Sequence, residues 1–397
     1  MNKKRISFLI LILVLVLLSG CWSRREISDL AIVLGAGVDL TPDKKVRITL
    51  QLARPSAFSS GSETGGGSQL KQNIVWVVSA VGDTIFEAER KLALTVDRRL
   101  YWGHSIILVL GEEMAKQGVR HVTNFFVRNP EPRETAWVFV TRGEAKRVLE
   151  SHSELERTSA QSAGYLARNQ VAFSVILKDF IIDLASKATN PLAPVIELKP
   201  EGEPQGPGLE EAPQHEELAI TGTGVFKDEK LIGWLDLAET RGLLWLRGEI
   251  EKGTITIPSP GEPDKLLSLN VVRAQTKVEP YYDGQTIHFK VSMTCEMNLL
   301  EQQSKEELFN LEKIAALERK AEENIIAKST GALEKAQEVY GVDIFDFGEV
   351  FHRKYKKEWK EMKDHWDEEF VNSEVSISAE AKLQSTGLQR RRTSLED

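Results

Sequence analysis

Ile220-Thr221-Gly222-Thr223-Gly224-Val225-Phe226 and Leu231-Ile232-Gly233-Trp234-Leu235-Asp236, joined by the turn-forming Lys227-Asp228-Glu229-Lys230, decide the fold class. Two β-rich runs separated by a four-residue polar turn predict a hairpin, and the chain from Glu239 to Leu246 then continues as a helix. Downstream, strands are expected over Leu266 to Val272, Thr276 to Tyr281 and Thr286 to Leu300, with Asp283-Gly284 turning between the last two. Leu308, Leu311, Ile314, Leu317, Ala321, Ile325, Leu333, Ala336 and Tyr340 mark the apolar face of a helix from about Ser304 to Val339. Phe351, Tyr355, Trp359, Met362, Trp366 and Phe370 form a second stripe at steps of four and three, and Ser373 to Leu383 alternates as a strand. In this stripe Lys354/Glu358, Lys357/Glu361, Lys360/Asp364 and Lys363/Asp367 are spaced to pair at i,i+4. Antiparallel neighbours followed by helices make this half α+β.

Upstream, residues 200–217 carry four prolines, three glycines and six glutamates with no Lys or Arg, the composition of a linker or long exposed loop. Before it, strands are expected over Ala31 to Leu40, Val46 to Ala53, Ile74 to Ala80, Ser105 to Leu110 and Thr135 to Val140, with a flexible Gly/Ser-rich loop over Ser56 to Gln69. Thr84 and Glu87 open a helix towards Val96 as a capping box, and a helix from Glu112 is interrupted near Gly118 and stopped by Asn129-Pro130. The expected fold class is therefore mixed α/β and α+β, multidomain. An N-terminal mixed sheet with helices (21–199) precedes the Pro/Glu-rich linker or loop (200–217). A C-terminal antiparallel-rich sheet with long helices (218–397) follows, with a subdivision into two domains left open.

The N-terminus predicts the compartment. Lys3, Lys4 and Arg5 precede an apolar run from Ile6 to Leu18, broken only by Ser7, which reads as a secretory signal over residues 1–20. As a helix this run reaches about 20 Å, short of the ~30 Å of hydrocarbon a permanent span must cross. Leu18-Ser19-Gly20-Cys21 then resembles a bacterial lipobox, with cleavage between Gly20 and Cys21 and diacylglyceryl transfer to the Cys21 thiol. Two or more acyl chains hold a protein stably on a bilayer. No later apolar stretch approaches 18 residues; Val171 to Leu184 carries Lys178, Asp179 and Asp183 and reads as a core or amphipathic helix. The chain is expected on the membrane rather than across it.

Composition excludes several functions. With 51 basic and 59 acidic side chains there is no electrostatic footprint for nucleic acid. The half before the Pro/Glu-rich segment has 23 basic and 20 acidic residues from position 21, against 25 and 33 from position 218 onward. The half beside the anchor thus lacks the acidic excess, which suits an anionic membrane face. Two cysteines, Cys21 and Cys295, cannot build a disulfide framework or a four-cysteine zinc site, and Cys295 in an alternating strand reads as a core thiol. The seven histidines show no metal-ligand spacing. Gly35-Ala36-Gly37 and Gly222-Thr223-Gly224 lack a dinucleotide fingerprint, and Ser68 with Lys71 flanks a flexible loop. His104, before a strand, has no visible partner. The chain is read as no enzyme, with no catalytic, cofactor-binding or metal site.

Several longer motifs now carry a resemblance. Gly20-Cys21-Trp22 leads into Arg25-Glu26-Ile27-Ser28-Asp29-Leu30. Asn129-Pro130-Glu131-Pro132-Arg133 and Gly222 to Phe226 follow, then Gly233-Trp234-Leu235 with Glu239-Thr240-Arg241-Gly242-Leu243-Leu244-Trp245. The last are Asp346-Phe347-Gly348 and Phe351-His352-Arg353-Lys354-Tyr355. In this order they resemble the Ger(x)C family, the C-subunit lipoproteins of spore germinant receptors, over nearly the whole chain; Lys356 stands where relatives often carry proline. The resemblance implies a non-enzymatic lipoprotein on the outer face of the cytoplasmic membrane, the spore inner membrane. It also implies assembly with two integral-membrane receptor subunits that respond to small germinants, and three mixed α/β domains. Trp22, Arg25, Glu26, Asp29, Trp234 and Arg241 are family-motif positions without an assigned role. Direct contact with a small-molecule germinant is left open. Two rivals stand beside this reading: a solute-binding lipoprotein of a transporter, which needs two doubly wound lobes around a cleft, and a lipid-anchored hydrolase, which needs a nucleophile and base that converge.

Overall fold

The computed structural model describes residues 27–54, 74–201, 215–308 and 310–385. A 3-10 turn, Ile27–Asp29, leads into β1 (Leu30–Leu40), which pairs antiparallel with β2 (Val46–Ala53), itself antiparallel to β3 (Val75–Gly82). Thr84 Oγ1 accepts from Glu87 N and opens α1 (Ile85–Leu92), with Ile85, Ala88 and Leu92 inward. The Glu87 carboxylate reaches back to Asp83 N rather than Thr84 N, and the helix ends at Leu92, a turn before the expected Val96. Then follow β4 (Arg99–Tyr101), β5 (Ile107–Gly111), α2 (Glu112–Gln117), α3 (Arg120–Arg128), β6 (Trp137–Thr141), α4 (Ala145–Glu150), α5 (Ser159–Arg168), α6 (Leu177–Ala185) and β7 (Leu192–Glu201).

β8 (His215–Lys227) and β9 (Lys230–Leu235) are the hairpin read at the outset, tightened to a two-residue Asp228-Glu229 turn with Asp228 at φ 51°. β8 also pairs antiparallel with β7 from Leu192↔Val225 to Glu201↔His215. A composition break there predicts a domain boundary, yet the backbone hydrogen bonds run across it: the large sheet takes in residues on both sides of 202–214 and is not confined to 21–199. Its order is β3-β2-β1-β5-β6-β7-β8-β9, with β4 also against β1. β1, β5, β6 and β7 run parallel, flanked by an antiparallel meander on each side.

Both faces of this sheet are covered, which the alternation of β2 did not reveal. Ile48, Leu50 and Leu52 enter the main core, while Thr49 and Gln51, also buried, face α4 and α5. Gln51 Nε2 donates to Leu149 O (2.9 Å) and Ser159 Oγ (2.8 Å), and its Oε1 accepts from Ala160 N (3.2 Å), so its amide is satisfied by helix backbone. Ile107, Val109, Phe139, Leu149 and Ala163 form the second apolar cluster on that face.

After α7 (Leu237–Arg247) the chain enters a four-stranded sheet of order β10 (Thr254–Pro258), β11 (Leu266–Tyr282), β12 (Ile287–Gln302) and β13 (Glu374–Ser385). The two strands expected over 266–281 are one, because the interruption is a register shift between Val271 and Arg273 rather than a turn. β13 lies parallel to β12 and is reached through α8 (Leu311–Glu334), a π-helical turn Lys335–Tyr340, α9 (Phe347–Lys354), α10 (Lys356–Met362) and α11 (Trp366–Val371). α8 begins seven residues later than its apolar spacing implies, because Asn310 caps it by accepting from Lys313 N (2.9 Å). The aromatic stripe is no continuous helix: Tyr355 (φ −117°, ψ 63°) and a 3-10 turn at Lys363–His365 split it. Phe351, Trp359, Trp366 and Phe370 still turn inward, but none of the four expected i,i+4 ion pairs closes among the described residues. Lys354 Nζ instead donates to Pro280 O, and Asp367 faces Lys227 at 3.8 Å.

Candidate functional site

The motif residues that the structure describes gather mainly at the joint between the two sheets. On β9, Gly233 presses its bare Cα against the Tyr340 ring, where any Cβ would overlap it. Trp234 N then donates to Tyr340 Oη (2.9 Å), and Tyr340 Oη donates to Trp234 O (2.7 Å). The Arg142 guanidinium lies 5.1 Å from the Trp234 ring centroid. Asp236 and Glu239 complete a capping box at the start of α7, and Glu239 also ion-pairs with Lys335 at 2.7 Å. Gly242 lets α7 lie directly on the Lys328 carbonyl of α8.

Arg241, one residue earlier, is turned into this joint beside Lys328 and Cys295. Its Nη2 is buried with no hydrogen-bond partner among the described residues, and burial holds its pKa below the usual value. Burial pushes the Cys295 thiol up to about 12, so it stays protonated and serves as a small core side chain rather than a nucleophile.

A second set of contacts closes the other side of the joint. The Asp343 carboxylate, fully buried, accepts from Phe345 N (2.9 Å), Phe347 N (3.4 Å), Gly348 N (2.7 Å) and Trp366 Nε1 (3.0 Å). Burial pushes its pKa up to about 7 against the pull of these donors. Asp346, at φ 60°, turns the Asp346-Phe347-Gly348 motif and pairs with Arg247 (2.9 Å), which also holds Glu249 (2.8 Å) and Ile344 O (3.1 Å). These motifs act as structural fasteners between α7, α8 and the sheets.

The other notable feature is a cleft of about 1130 Å³ between α1 and α3, bordered by residues 93–100 and by Asn129-Pro130-Glu131 of the first-half motif. Its floor is Ile85, Val96, Leu100 and Phe125; Trp102 packs beneath, edge-on to Phe125 and Phe126, and donates to Glu89 at 3.0 Å. Sequence reading missed this cleft, because α1, β4 and α3 come together only through the sheet. The Asn129–Glu131 motif at its edge was its one visible trace.

Of the expected site residues, Gly20, Cys21, Trp22, Arg25 and Glu26 lie outside the described residues. Asp29 is exposed just before β1. His104 is exposed with its ring edge-on to Tyr101 (5.7 Å). Among the described residues there is no group of three or more His, Cys, Asp or Glu placed to hold a metal, and no helix is long and apolar enough to cross a membrane.

Known proteins match this chain along its length. The family described as "Spore germination protein N-terminal domain" matches residues 23–198, and "Spore germination B3/ GerAC like, C-terminal" matches 221–387. Among curated proteins of Bacillus subtilis (strain 168), "Spore germination protein KC" is 29% identical over 401 residues, covering 98% of this chain and 97% of that one. "Spore germination protein B3" is 24% identical, covering 97% and 99%. The solved structure "Crystal Structure of the GerBC protein" has the same fold, with a TM-score of 0.58, 19% identity, and coverage of 88% of this chain and 97% of that one. With both halves matched in order and the fold shared, the chain belongs to the Ger(x)C family of spore germination proteins.

Proposed function

We propose that this protein is the lipid-anchored, non-catalytic C subunit of a spore germinant receptor, held on the outer face of the spore inner membrane through diacylglyceryl-Cys21 and assembled with two integral-membrane subunits. Full-length similarity to spore germination proteins KC and B3 carries the reading. The Leu18-Ser19-Gly20-Cys21 lipobox supports the anchor. Trp234, Gly242 and Asp346 are engaged by Tyr340, Lys328 and Arg247 as packing contacts within the fold, which suits an assembly subunit. The two sheets, one mixed and one largely antiparallel, lack the paired doubly wound lobes of a solute-binding lipoprotein.

Mass spectrometry of the protein purified from spore membranes tests the anchor: the N-terminal peptide should begin at Cys21 and carry a diacylglyceryl adduct. Cys21→Ala should abolish the adduct and slow nutrient-triggered germination. An unmodified cysteine on the native protein overturns the anchoring. Purification in mild detergent should recover two polytopic subunits with the chain, and recovery of the chain alone overturns the assembly.

A further inference from the structure

From the α1–α3 cleft we infer a second membrane contact: its rim docks on the anionic headgroup surface of the bilayer, beside the point where the lipid tether leaves the fold. The inference rests on Cys21 anchoring for its geometry, but its chemistry is independent of it.

β1 and β4 are parallel neighbours in register Leu30↔Arg99, so the first strand residue lies about 4.8 Å from the rim of the cleft. Nine residues link Cys21 to Leu30. At no more than ~3.3–3.6 Å each, with the strand spacing added, they keep Arg99 within about 37 Å of an anchored Cys21.

The rim has the chemistry for that surface. Four carboxylates border the cleft. Asp83 pairs with Lys45 and Glu131 with Arg99, which leaves Asp97 and Glu89, the latter accepting from the neutral Trp102 indole, which cancels no charge. Against these two stand three arginines, Arg90, Arg98 and Arg128, all exposed, none ion-paired to a carboxylate among the described residues. Arg128 holds only the neutral Asn124 amide (2.6 Å), and Arg90 lies over the Phe86 ring at 4.8 Å. On the same elements Phe86 is 54% and Leu94 87% exposed, Leu94 in the loop between α1 and β4. Unpaired arginines flanking exposed apolar side chains are what an interfacial contact needs: guanidinium groups meet phosphate while the apolar tips enter the headgroup layer. The whole chain is acidic, at −8, so any attraction to an anionic surface must come from such a local patch.

The test uses the mature chain, residues 21–397, with Cys21→Ser so that no lipid contributes. It is sedimented with vesicles of phosphatidylglycerol and phosphatidylcholine, or phosphatidylcholine alone, at 50 and 500 mM salt. Binding to the anionic vesicles only, lost at high salt, is expected. The triple variant R90E/R98E/R128E should lower the partition coefficient about tenfold or more, and Leu94→Asp severalfold. The triple reversal K356E/K357E/K360E, at exposed lysines of α10, should leave it unchanged, with circular dichroism confirming folding of each. No sedimentation with anionic vesicles overturns the inference, as does an equal loss in the α10 variant or equal binding to neutral vesicles. A protein carrying the Cys21 adduct yet failing here keeps its anchor and loses only this contact. Binding here without the adduct reverses that outcome.

Discussion

Asp183, on α6, is the residue whose environment most clearly sets a pH response. Burial, reinforced by Asp346 and Asp179 and opposed by Arg247, pushes its carboxyl up to about 7. The folded pKa lies above the unfolded one, so the proton stabilises the fold at low pH, and that contribution disappears as pH rises from about 4 through 7. Asp183→Asn should therefore raise the melting temperature at pH 8 and change it little at pH 4, which thermal melts across that range will show; an equal shift at both ends overturns the assignment. Residue identity was legible at this scale, but role was not. Trp234 and Arg241 stood out as motif positions, yet nothing local says that Tyr340, a hundred residues on, bonds the Trp234 backbone, or that Arg241 ends beside Lys328 and Cys295. Gln51 and Asp39 show the reverse failure. Both are polar residues in strands, ordinarily read as solvent-facing, and both are buried, Asp39 accepting from Ala145 N (2.7 Å) and Lys146 N (3.2 Å) at the start of α4.

At the level of elements, local signals served where a cap or turn is made by neighbours in sequence. Thr84, Asp236 and the 227–230 turn behave as their chemistry implies. They failed where periodicity continued through a break. The Phe351–Phe370 stripe keeps its steps of four and three through three short helices, because each piece packs its own aromatics against the same core; Phe351 stacks on Trp366 at 5.4 Å. Lys356 starts α10, so the helix begins there without a proline at its first position. The α7–α8 crossing depends on Gly242, whose absent side chain lets the helix backbone meet Lys328 O. Gly242→Ala must force the helices apart and should cost about 1–3 kcal/mol. Denaturant unfolding measures this, and a loss below about 0.5 kcal/mol shows that the joint yields.

Over the whole molecule, a single apolar cluster runs from Ile48 and Leu50 of the large sheet through Phe226 and Trp245 to Phe289 and Met297 of the small one. Two sheets that share one core should unfold together. Calorimetry is expected to give one transition with equal calorimetric and van't Hoff enthalpies; two resolved transitions contradict a shared core. The chain by itself determined the hairpin, the Thr84 cap, the mixed class and the order of family motifs, because each depends on residues within a few positions of one another. The lipobox reading, on residues 18–21, has the same local basis. Only the tertiary structure decided that β7 and β8 join the halves through one sheet, that motif residues fasten α7 to α8, and that α1 and α3 enclose an arginine-rimmed cleft beside the start of β1. Strand partners and helix contacts are chosen by burial summed over residues far apart in sequence, and no local pattern carries that sum.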